Sequence, residues 1–83
     1  MLSVQSEELV RLDQLLDETP PGTQYALLRE HLESARAYLV GLMPAEYAFS
    51  LRMAEEALDG VSDRNLRERI QEFIHGGEGE EHA

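Results

Sequence analysis

An all-α fold, a small antiparallel bundle of about four helices, is predicted by three features of the sequence. Four stretches carry apolar residues at the three-and-four spacing of a helix face. Each boundary between them holds proline or glycine: Thr19-Pro20-Pro21-Gly22, Gly41-Leu42-Met43-Pro44 and Asp59-Gly60. The links are only about three to five residues long, so successive helices lie antiparallel beside one another. The centre of the bundle is the hairpin of the second and third helices.

The first helix is predicted to follow a frayed stretch at 1–5. Ser6 serves as its N-cap, and Glu7 and Glu8 place negative charge at the positive end of the helix dipole. Leu9, Leu12 and Leu16 share the inward face with Leu15 beside them, while Arg11, Asp13, Gln14 and Asp17 point outward. Thr19-Pro20-Pro21 ends it, because a residue before proline is pushed out of the α region and a proline pair cannot continue the hydrogen-bond ladder.

The second helix is predicted over 23–40, with the Thr23 hydroxyl as N-cap and Gly41 closing it at positive φ. Its core stripe is Tyr25, Leu28, Leu32, Ala35, Leu39 and Leu42. Leu27, His31 and Tyr38 flank that stripe, and Arg29, Glu33, Arg36 and Ala37 lie on the far side. The third helix is predicted over 44–58, Pro44 suiting a first-turn position where no N–H is needed. One long helix over 23–58, kinked at Pro44, is the competing arrangement. It carries a penalty of about 3 kcal/mol or more, and Gly41 just before the proline favours a hairpin.

The third helix is apolar on two faces. Tyr47, Ala48, Leu51, Ala54 and Leu58 form one stripe. Ala45, Phe49 and Met53 form a second on the opposite side, with Ala57 at its edge and Glu46, Arg52 and Glu56 interrupting it. A helix of a small bundle needs one buried stripe of about three positions in seven. Unless the rest of the chain wraps this helix on both sides, the second stripe is expected to meet another molecule. Phenylalanine and methionine are residue types enriched at interfaces. Ala45, Phe49 and Met53 are therefore the expected interface residues.

The fourth helix is predicted to start at the N-cap Ser62, with Val61 and Leu66 as a hydrophobic staple and Asp63 one turn before Arg67 as an ion pair. Leu66, Ile70, Phe73 and Ile74 form its stripe, and Gly76-Gly77 stops it. The chain thus divides into a single bundle domain over 1–75 and a disordered acidic tail over 76–83. No internal repeat and no spacing signature of a helical repeat family is found.

Eighty-three residues place the domain near the size at which one core is barely sufficient, so self-association would help it. There is no cysteine, which excludes disulfides and thiolate metal sites. No apolar run approaches the ~18–20 residues of a membrane span, and the N-terminus lacks the pattern of a signal peptide. A cytoplasmic protein without membrane contact is the expectation.

Seventeen acids against seven arginines, with no lysine, give a net charge of −10. That charge repels a phosphate backbone, so no nucleic acid is expected as a partner. The acids gather in the first helix and in Glu78, Glu80 and Glu81 of the tail. They serve solubility, or else make the protein an acidic decoy for a basic or nucleic-acid-binding partner.

Few residues suggest chemistry. His31, mid-helix beside the core stripe, has the placement a phosphotransfer bundle needs, since imidazole is both nucleophile and leaving group near neutral pH. Phosphotransfer domains resemble one another in a lysine and a glycine shortly after the histidine, and Ser34 and Ala35 stand there instead. Glu72 and His75 match one half of a di-iron bundle motif, but such a site needs a second pair and two further glutamates. Glu7-Glu8 and Glu55-Glu56 are adjacent on their helices and diverge by ~100°, so neither pair converges on a proton or a metal. Tyr25, Tyr38 and Tyr47 are expected at the core edge with hydroxyls in water.

The sequence therefore predicts no enzyme, cofactor, metal or small-molecule substrate. It predicts a small acidic interaction or regulatory module, a homodimer or an adaptor for a protein partner. A phosphotransfer-like bundle acting through His31 and the acidic decoy are the alternatives.

Overall fold

A computed structural model describes the backbone of residues 3–81 and the side chains of 7–75. Among these residues are four helices and no strand: α1 (Ser3–Glu18), α2 (Ala26–Val40), α3 (Pro44–Ala57) and α4 (Arg64–Glu81). α2 and α3 form the hairpin and share the most extensive packing. α1 lies on α2 and α4, and α4 also lies on α3, so every helix has two main neighbours. The core between them is Leu12 and Leu15 of α1, Leu28, Leu32, Ala35 and Leu39 of α2, Ala54 of α3, Leu58 and Val61 of the α3–α4 link, and Leu66 and Ile70 of α4. Full burial of one such leucine or isoleucine is worth roughly 1.5–3 kcal/mol, and this set holds the bundle together.

Polar side chains tie α1 to every other helix. Glu8 accepts a hydrogen bond from the Tyr47 hydroxyl of α3. Asp13 pairs with Arg36 of α2 and Glu18 with Arg69 of α4. The Arg36 guanidinium beside Asp13 is held above its ordinary pKa by that hydrogen bond and charge. Both ion pairs lie in solvent, where such contacts fix register more than they add stability.

Several helix ends differ from the sequence expectation, each for a local reason. α1 starts at Ser3, which puts Ser6 inside the helix rather than at its N-cap. Thr23 is no cap either. Gly22, at φ 146°, turns the chain into a short 3-10 turn over Thr23–Tyr25, and α2 begins at Ala26 without a side-chain cap. At the start of α4 the capping residue is Asp63, whose Oδ1 accepts from the Leu66 N–H at 3.2 Å. That carboxylate caps the helix instead of pairing with Arg67 as expected. Ser62 faces Gln24, whose Oε1 accepts from its N–H at 3.3 Å. The backbone of α4 stays helical past Gly76-Gly77 to Glu81. A glycine pair weakens a helix by about 1 kcal/mol per residue but leaves its N–H groups in place, so it is a weak stop. The tail acids Glu78, Glu80 and Glu81 lie outside the described side chains.

Candidate functional site

The α2–α3 hairpin builds the surface that the sequence singled out. Small residues on the facing sides, Ala35 on α2 and Ser50 and Ala54 on α3, are all buried and allow the two helices to approach closely. This closeness rotates α3 from the predicted orientation. Its inward face centres on Ser50 and Ala54, Leu51 and Tyr47 sit half-buried at the edge, and Ala48, expected inside, is exposed. Phe49 is turned outward and is 61% exposed. Ala45 is exposed one turn before it, and Met53 is half-buried one turn after it.

Ala45 and Phe49 line a shallow groove of about 330 Å³ together with Ser34, Tyr38, Glu46 and Ser50. Met53 takes no part in it. Tyr38 also lines a second groove of about 350 Å³, whose other walls are Glu8, Leu39, Leu42, Met43, Pro44 and Tyr47. The sequence expectation does not contain this second groove, because it counts Leu42, one of the groove's walls, as core. The expected α2 stripe reaches Leu42 only by carrying the helical period past the end of the helix. The chain in fact leaves the helix at Gly41, and Leu42 is 70% exposed.

The closure of α2 explains that exposure. The Met43 N–H donates to the Tyr38 carbonyl at 2.9 Å and the Leu42 N–H to the Leu39 carbonyl at 3.2 Å, the two bonds of a Schellman motif. The motif requires positive φ at the residue after the C-cap. That residue is Leu42, at φ 59°, whereas Gly41 at φ −81° needs no glycine. A side chain in the left-handed region is strained, and here it stands out in solvent. The readable signal was Gly-Leu-Met before a proline: a helix stop with two large apolar residues in the turn itself.

Tyr47 forms one wall of the second groove and donates its hydroxyl to Glu8, not to water as expected. Burial first, and then the bond to Glu8 and its charge, push the phenol well above its ordinary pKa. It stays protonated at neutral pH and anchors α1 to α3.

The remaining candidates are separate from these grooves. His31 is half-buried on α2. Glu72 is exposed, and His75 lies with its Nε2 2.7 Å from Glu55 Oε2, joining α4 to α3. Among the described residues no group of three or more His, Asp or Glu side chains could hold a metal ion. A third shallow groove of about 350 Å³, on α4, is of a different kind, lined by Ser62, Arg64, Arg67, Glu68 and Gln71. Among the described residues no helix is long and apolar enough to cross a membrane.

No protein-family model matches the chain, and no curated protein or solved structure matches it.

Proposed function

We propose that this protein works by contact, as a small acidic interaction module that self-associates or docks on a protein partner through the outer side of the α2–α3 hairpin. The observation that carries this reading is Phe49, a large aromatic ring left 61% exposed on a helix whose other face completes the core. Around it lie Ala45 and Tyr38, and the second groove adds Leu42, Met43 and Pro44. A contiguous apolar surface rimmed by polar residues is the usual mark of a binding site. Aromatic side chains at the centre of such surfaces carry much of the binding energy.

Light scattering across a concentration series tests the reading, with the native chain beside Phe49→Glu. Phe49 is exposed, so the variant should keep its helicity. Self-association predicts a dimer that Phe49→Glu converts to a monomer. A monomer at all concentrations directs the reading to a different protein as the occupant. A dimer indifferent to Phe49→Glu removes this face from the function.

A further inference from the structure

We propose that the double groove at Tyr38 receives a basic amphipathic helix of a partner protein, its apolar side chains seated in the two grooves and its lysines or arginines against Glu8 and Glu46. This rests on the interaction reading above and names the occupant.

Charge selects among the occupants. Each groove is lined by one glutamate, Glu46 in the first and Glu8 in the second, and neither is lined by an arginine or a histidine. Arg36, the arginine nearest to Tyr38, is committed to Asp13, while Arg52, two residues after Ser50, and Arg11, three after Glu8, are exposed outside both linings. A second copy of the chain would bring together two bodies of net charge −10 each. A basic helix meets the opposite field, which steers its approach and sets its orientation.

Shape points the same way. Two grooves of about 330 and 350 Å³ sharing one aromatic wall suit two large side chains on one face of a helix, the i and i+3, i+4 or i+7 anchors of helix-in-groove recognition. Phe49, Leu42 and Met43 then change from exposed apolar residues to the walls of a filled site. The strained, outward Leu42 is a second mark of that site, since backbone strain of this kind persists where function retains it.

The test uses the full chain and two labelled synthetic peptides of about 18 residues, five helical turns. Both carry one leucine pattern; the first has lysine at its polar positions and the second has glutamate. Fluorescence anisotropy should show the lysine peptide binding and the glutamate peptide not. Phe49→Ser should weaken the lysine peptide at least about tenfold. Glu46→Gln should weaken it and flatten its salt dependence between about 0.05 and 0.5 M. Asp17→Asn, which removes the same charge from the exposed outside of α1, should leave affinity within about twofold.

Indifference to Phe49→Ser, or equal losses from Asp17→Asn and Glu46→Gln, overturns the proposal, because the peptide would then be responding to net charge alone. Light scattering on the same samples separates this failure from that of the interaction reading. A dimer that Phe49→Ser dissociates, and that takes no peptide at the grooves, overturns the basic-helix occupant and leaves the contact surface standing. A monomer indifferent to Phe49→Ser in both assays overturns both.

Discussion

The two corners that flank α2 solve the same problem in opposite ways. The α1–α2 link places glycine where the backbone demands it: Gly22 sits at φ 146° and ψ 159°, a region essentially closed to other residues. The corner is then drawn inward and tied down. Thr19 is 1% exposed, its Oγ1 donates to the Leu15 carbonyl at 2.7 Å, and Arg29 reaches from α2 to donate to the Leu16 and Thr19 carbonyls at 3.1 and 2.7 Å. A cation thus sits on the negative end of the α1 dipole. At the α2–α3 link the glycine stands one residue too early. The left-handed position falls on Leu42, and the corner presents leucine and methionine to solvent. One corner stabilises the fold, while the other gives up stability and leaves an apolar surface.

The largest effect should come from breaking the first corner at its glycine. Gly22→Ala should lower stability by about 2 kcal/mol, the strain of holding a side chain in that region. An added Cβ would meet only Tyr25 Cδ2 at 3.7 Å, an ordinary contact, so the loss isolates the backbone conformation. Urea unfolding measures it, and an unchanged midpoint would mean that the corner can be rebuilt without a glycine. Next comes Arg29→Ala, with about 1.5 kcal/mol lost through the two charge-assisted bonds to α1. Its control is Glu33→Ala. That change removes only the exposed i,i+4 partner of Arg29, and it should stay within about 0.5 kcal/mol.

How far these corners were legible in the sequence depends on the range of the forces that make them. The four helices, the Thr19–Gly22 break and the hairpin at Gly41–Pro44 follow from period and proline, both local, and the structure has them. Leu12, Leu28, Leu32, Ile70 and Leu66 are buried as their spacing demands. By period alone Arg29 points outward, because nothing along α2 reveals that the end of α1 lies beside it. The capping role exists only once the two helices meet. The rotation of α3 escapes a period count for a related reason: Ala35 and Ala54 fall on the expected stripes, but Ser50, buried against α2, is polar and adds nothing to an apolar period. In the candidate site, the surplus of apolar faces points to Phe49 and Ala45, which are exposed, whereas the half containing Leu42 is hidden by extending the helix period two residues beyond Val40, where α2 ends.

The last predicted change inverts the first. Leu42→Gly makes the second corner like the first, placing glycine at the left-handed position that closes the Schellman motif. It should raise stability by about 1 kcal/mol, the left-handed penalty relieved less the greater chain entropy that glycine brings to the unfolded state. Leu42 is 70% exposed, so little burial is lost in exchange. Urea unfolding should therefore show a more stable protein, while the lysine peptide should bind it more weakly because one groove has lost a wall. Gains in both would mean that Leu42 is strained without serving the surface. A gain in stability with a loss in binding is the opposition expected where a fold retains strain for function, and it would explain why the leucine, not the glycine beside it, occupies that position.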